Sequence, residues 1–190
     1  MNLQAASLLV LCAVLSAVGV IGDRVAPGIA GITPAQAHEL VRAHNVWRER
    51  AGVPPVRWAA DLAARAQARA RELSAQGCRI AHGPLPRDIG ENLFRVSALQ
   101  YTGGRPDEVF DLTATAVVDA WGVESDDYSP STGACAPGRQ CGHYTQIVWA
   151  ATTDIGCGMS VCPSLGQVWV CNYRPRGNVR LFGAAEGPSS

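Results

Sequence analysis

The chain has 190 residues, with 16 acidic and 16 basic side chains and so no formal net charge. That length suits one compact domain with a real core rather than two. The neutral balance lacks the basic footprint of a nucleic-acid partner. All the basic side chains are Arg, and Arg65, Arg69 and Arg71 read as one solvated helix face.

Residues 5–22 form an uncharged apolar run rich in Leu, Val, Ala and Ser. It reads as a secretory signal peptide, cleaved after Ala17-Val18-Gly19 or Val20-Ile21-Gly22. The run is also long enough for a membrane anchor, and Met1-Asn2-Leu3-Gln4 carries no basic residue. Small residues at its end and the lack of a basic cluster after it favour cleavage, leaving no membrane contact for the mature chain. Cys12 leaves with this leader. Cys78, Cys135, Cys141, Cys157, Cys162 and Cys171 remain, an even set that reads as a disulfide framework in an oxidising compartment.

Residues 23–32 are rich in Gly, Ala and Pro and read as a flexible leader. Thr33-Pro34-Ala35-Gln36 then starts a helix, with Thr as cap, Pro at the first helical position and Gln closing a capping box. The helix runs to about residue 51 and stops at Gly52, with Pro54-Pro55 beyond. A second, Ala-rich helix covers about 59–76 and ends at Gly77. Residues 78–104 read as irregular, broken by Gly83, Pro84, Pro86 and Gly90. A third helix spans about 112–122.

A Ser/Pro/Gly loop at 129–140 leads to three strand-like runs: 143–149, 154–161 and 167–173. The last two are joined by Cys162-Pro163-Ser164-Leu165-Gly166, a hairpin signal. If Val161 faces Gln167 across that turn, Cys157 faces Cys171 within disulfide reach. Cys135 and Cys141 then close a small Gly/Pro loop, which leaves Cys78 for Cys162. The predicted domain is 33–183, and residues 184–190 read as a disordered tail.

Four polar residues fall on apolar faces. Leu40, His44, Trp47 and Ala51 share one stripe of the first helix, and extending the register of the third past its end puts Val117, Trp121, Glu124 and Tyr128 on one stripe. Glu91 sits between a Gly hinge and Leu93-Phe94. His143 heads the run 143–149, whose alternation puts it with Thr145, Ile147 and Trp149. Two readings account for this quartet. Each imidazole hydrogen-bonds a carboxylate in a buried network, or the imidazoles hold a divalent cation with the carboxylates completing its shell. His38 lies off the apolar stripe and His82 lies in a loop beside Gly83, so neither is assigned a role.

The segments "HNVWRERAGVPPVRW", "GENLF", "WGVESDDY", "CGHYTQIVWAATTDIGCG" and "VWVCNYRPRGN" occur in this order. Together they resemble the CAP superfamily of cysteine-rich secretory proteins, insect antigen 5 and plant group 1 pathogenesis-related proteins, over residues 37–182. Trp169 departs mildly from the aliphatic, Phe or Tyr usual at its position. The resemblance implies an α+β fold, a three-layer α-β-α sandwich with a central antiparallel sheet. It implies a cleft tetrad, matched here to His44, Glu91, Glu124 and His143, in which zinc or a similar divalent cation is held mainly by the imidazoles. The six cysteines resemble the plant-type pattern, whose pairing agrees with Cys78–Cys162, Cys135–Cys141 and Cys157–Cys171.

The expected function is a secreted, extracellular binding or defence-type module (periplasmic if bacterial), not an enzyme. It would take a sterol, a fatty acid or another small hydrophobic ligand. One alternative is a metal-dependent hydrolase or protease with Glu91 or Glu124 as base; no H-E-x-x-H helix or base-paired nucleophile supports it. The other is a host-interaction or antimicrobial scaffold presenting loops 84–88, 99–107 and 129–140 to a protein partner.

Overall fold

The structure is a computed structural model and describes residues 31–179. The expected signal peptide, most of the leader, and the tail lie outside the described residues.

Helix α1 (Pro34–Arg50) begins where the capping signature places it. The Thr33 hydroxyl accepts from the Gln36 amide, and the Gln36 side chain accepts from the Thr33 amide. Gly52, at φ +69°, makes the left-handed turn that ends it. Strand β1 (Arg57–Trp58) leads into α2 (Ala60–Ala75). Next come β2 (Gly90–Val96), α3 (Ala114–Gly122) and a 3-10 turn over Val123–Asp127. The short strands β3 (Tyr128–Ser129) and β4 (Ala134–Cys135), α4 (Gly142–Ile147), β5 (Asp154–Val161) and β6 (Gln167–Arg174) complete the chain order.

The main sheet runs β1-β5-β6-β2. Val161 pairs with Gln167 and Cys157 with Cys171, so the hairpin register is the one the turn length predicts. The three disulfides are Cys78–Cys162, Cys135–Cys141 and Cys157–Cys171. The sheet is mixed rather than antiparallel, because β1 joins β5 in parallel over two residues.

Alternation along the strands separates two cores. Ile155, Cys157, Trp169, Cys171 and Tyr173 pack with Leu40, Val117, Trp121 and Ile147 of α1, α3 and α4. Leu93, Val168 and Val170 pack on the other face against Ala66, Ala70 and Leu73 of α2. A Cβ at Gly156 would overlap the Ala63 amide nitrogen, and one at Gly158 the Gln67 backbone. These two glycines therefore let α2 lie directly on β5.

Two expectations are corrected. Residues 143–149 are not a strand: α4 occupies Gly142–Ile147, and its buried apolar residues are Tyr144 and Ile147, followed by Val148 at the cap, the spacing of one helical face; Gln146 is buried beside them. The apparent alternation was a coincidence within a segment too short to show its period. Residues 90–96, read as part of an irregular stretch, form the edge strand β2, paired along its length with β6.

Arg48 ties α1 to the α4–β5 connection. Its guanidinium is buried and donates to the carbonyls of Pro54, Ile147, Trp149 and Thr152 at 2.6–2.9 Å. Burial lowers its pKa to about 10, so it stays charged at neutral pH.

Candidate functional site

The β2 edge of the sheet collects ionisable side chains from both layers. Glu91 pairs with Asn172 and shares its side of the strand with Leu93, on the α2 face. The loop after Cys78 crosses that face and brings in His82, whose Nδ1 lies 3.0 Å from Glu91 Oε1. The Glu91 side chain is 1% exposed and that of His82 61%, so the ring caps a buried carboxylate.

The other half comes from the α3 side. Past Trp121 the chain tightens into the 3-10 turn that carries Glu124. Glu124 Oε1 lies 2.7 Å from His143 Nδ1, and Oε2 accepts the backbone amides of His143 at 2.8 Å and Tyr144 at 3.2 Å. The Trp121 ring stacks on His143 at 6.2 Å between centroids. The Cys135–Cys141 bridge fixes the start of α4, and Asn178 holds its first turn. The Asn178 amide donates to the Gly142 carbonyl at 2.8 Å and its oxygen accepts from the Thr145 hydroxyl at 2.7 Å.

His82, Glu91, Asn92, Gln140, His143 and Asn178 line a shared cleft of about 350 Å³. In each His–Glu pair the carboxylate accepts the Nδ1 proton, which fixes the tautomer. Neither Nε2 has a protein partner among the described residues.

His44 is not in this cleft. It is fully buried beneath Trp121 and Tyr173, with ring centroids 6.4 and 5.6 Å away. Its Nδ1 lies 2.8 Å from the Leu40 carbonyl and its Nε2 2.9 Å from the Tyr173 hydroxyl. Burial pushes its pKa down to about 4, and the Arg48 charge acts the same way against the Leu40 bond. The apolar-stripe reading of His44 as a core residue holds; its assignment to the tetrad does not. The second cleft imidazole is His82, in a loop whose sequence carries no periodic signal. Glu91, Glu124 and His143 do border the cleft or back it.

Residues 41–173 match the sequence profile of CAP, the Cysteine-rich secretory protein family. The chain belongs to the CAP family. It is 41% identical over 140 residues to "Pathogenesis-related protein PR-1 type" of Sambucus nigra, covering 74% of this chain and 76% of that protein. The fold resembles that of Schistosoma mansoni venom allergen-like protein 4, with a TM-score of 0.57 at 22% identity over 77% of this chain and 92% of the other. It also resembles that of NaASP2, crystallised with Zn2+, with a TM-score of 0.57 at 20% identity over 78% and 83% of the two chains.

The donor chemistry of this CAP cleft suits zinc in kind. Two imidazoles, each braced by a carboxylate on its far nitrogen, reproduce the outer-shell arrangement of zinc-binding histidines. Among the described residues no three His, Cys, Asp or Glu side chains come together around one ion. A cation here would be held by His82 and His143, with solvent filling the other positions.

The CAP domain also carries a groove of about 1130 Å³ between α1 and α2, past the short edge strand β1. Val41, Val56, Trp58 and Ala63 lie along it, with Arg42 and Arg57 among its polar residues. The Arg57 side chain is 80% exposed even though its Nε holds Asp154 at 2.8 Å.

Proposed function

We propose that this CAP domain is a non-enzymatic binding module of a secreted protein, and that its cleft takes a divalent cation such as zinc between His82 and His143. The observation that carries this reading is the matched pair of His–Glu contacts at 3.0 and 2.7 Å bordering one cleft. Both rings are fixed in the tautomer that leaves Nε2 as a lone-pair donor. NaASP2, which shares the fold, was crystallised with Zn2+. Three disulfides fit an oxidising, extracellular setting. The hydrolase alternative gave the role of base to Glu91 or Glu124, and each of these is already committed to an imidazole.

Titration calorimetry of the purified domain with ZnCl2 tests this reading. His82→Ala and His143→Ala each weaken binding at least tenfold. Absence of zinc binding by the unaltered domain, or unchanged affinity in His82→Ala, overturns it.

A second ligand reading rests on the α1–α2 groove, whose volume suits a small hydrophobic molecule and whose two arginines suit an acidic head group. Palmitate then binds more tightly than its methyl ester, and Arg42→Ala narrows the difference. Equal binding of acid and ester removes the arginine role; no saturable binding of palmitate or cholesterol removes the lipid reading.

A further inference from the structure

Besides the cleft, Glu91 borders a second cavity, a pocket of about 420 Å³ on the α2 face of the sheet. One wall is α2, where Arg65 and Arg69 stand one turn apart. The other is the β2–β6 pair, where Glu91 and Asn172 are register partners and so stand side by side on one face. The loop after Cys78 closes the space between the walls. Arg65 donates to its Pro84 carbonyl at 3.2 Å, and Arg69 to its Ala81 carbonyl. Ala68 of α2 and Leu85 of the loop add apolar surface.

Both walls hold unused hydrogen-bonding capacity. Arg69 Nη1 pairs with Glu72 at 2.7 Å and Nη2 donates to the Ala81 carbonyl, yet Nε is buried without a partner. Asn172 is fully buried. Its Nδ2 donates to the Gly90 carbonyl at 3.4 Å, and its Oδ1 has no partner. Turning that amide over would set two oxygens against each other, because the Gly90 carbonyl can only accept. The orphan on the helix wall is therefore a donor and the orphan on the sheet wall an acceptor. Leaving such a group unpaired costs about 1–3 kcal/mol, and most buried polar groups have a partner. Of the four orphans among the described residues, Arg69 Nε and Asn172 Oδ1 belong to residues lining this one pocket.

The charges divide in the same sense. Glu72 offsets Arg69, but Arg65 has no carboxylate partner among the described residues, so the helix wall keeps a positive charge. On the sheet wall the Glu91 carboxylate has only the His82 ring beside it. A ligand that answers both walls brings a negatively charged acceptor to α2 and a positively charged donor to the strands.

We propose that this pocket binds a small zwitterion, a free α-amino acid. Its carboxylate meets Arg65 and the Arg69 Nε, and its ammonium meets Asn172 Oδ1 and Glu91, so that each end makes charge-assisted hydrogen bonds. Ala68 and Leu85 favour an aliphatic side chain. An acid or an amine alone would answer one wall and leave the other unpaired.

The test is titration of the metal-free domain with L-alanine and L-leucine, followed by NMR of the backbone amides, so that the cation reading does not enter. Saturable shifts are expected at Arg65, Arg69, Gly83 and Asn172, and none along the α1–α2 groove. Two truncated forms of leucine, 4-methylpentanoate without the ammonium and 3-methylbutylamine without the carboxylate, bind at least about tenfold more weakly. Arg65→Ala, at an exposed position, weakens leucine about tenfold and leaves the amine unchanged. Asn172→Leu weakens leucine and the amine and spares the acid.

The proposal is overturned if neither amino acid saturates, if leucine binds no better than its two truncated forms, or if the shifts centre on the groove. Unchanged leucine affinity in Arg65→Ala, or in folded Asn172→Leu, overturns it as well. Should Asn172→Leu fail to fold, Arg65→Ala and the truncated ligands decide.

Discussion

His82 Nδ1 lies 3.0 Å from Glu91 Oε1, and this contact is the only hydrogen bond of the Glu91 carboxylate among the described residues. The carboxylate is nearly closed to water, so the ring above it supplies its hydrogen bond. Removing that ring leaves a buried acceptor unpaired, at about 1–3 kcal/mol. His82→Ala is therefore expected to be less stable in urea as well as weaker toward zinc. Adding Glu91→Gln recovers part of the stability, because a neutral amide is cheaper to bury than a carboxylate. A double variant no more stable than His82→Ala would show that the charge is not the source of the loss.

His44 makes the fold sensitive to acid. Its pKa falls from the ordinary 6.5 to about 4 in the folded chain, first because of burial. Between those values the unfolded chain binds the proton and the folded one does not, so stability drops as pH falls from 6.5 toward 4. The shift corresponds to on the order of 3 kcal/mol. Urea midpoints measured across this window should fall for the unaltered domain. His44→Asn should start lower and lose less over the same range. Parallel curves for the two proteins would remove His44 as the cause.

The contrast between His44 and His82 shows what the sequence discloses and what it does not. His44 sits on a regular helix, and periodicity alone places it in the core. The ends of α1 and the β5–β6 register follow in the same way from capping residues and turn length. His82 lies in a Gly/Pro loop with no period, and its position depends on a disulfide to Cys162 and a strand at 90–96. That strand was hard to read because Glu91 and Asn92 interrupt its apolar run, for a reason that lies in the cleft they border. Residues 143–149 mislead for a different reason. A helix of six residues has too few turns to declare its period, and what fixes it is non-local: the bridge at Cys141 and the contacts from Asn178 and Glu124.

Arg48 offers a test of how the α1 layer is joined to the sheet. Four carbonyls share one guanidinium, and no carboxylate pairs with it among the described residues. Lysine keeps the charge but presents three donors from a single point, so at least one carbonyl is left unpaired. Arg48→Lys is expected to lose about 2–3 kcal/mol, and Arg48→Met more, since all four acceptors are then abandoned. Urea midpoints at constant slope give the order. A methionine variant as stable as the parent would mean that water replaces the guanidinium without cost.

The disulfides should differ in worth according to the chain they close. Cys78–Cys162 spans 84 residues and Cys135–Cys141 only 6. On the chain-entropy account, closing the longer loop stabilises by roughly 4–5 kcal/mol and the shorter by about 2–3 kcal/mol. Replacing each pair by alanine in turn should reproduce that order in urea midpoints. The longer bridge also fixes the start of the loop that carries His82, whereas the shorter one fixes the start of α4 and so His143. Loss of Cys135–Cys141 is thus expected to weaken zinc binding more than its modest stability cost implies. If zinc affinity instead follows stability across the two variants, the bridges act on the fold alone and not on the placement of either ring.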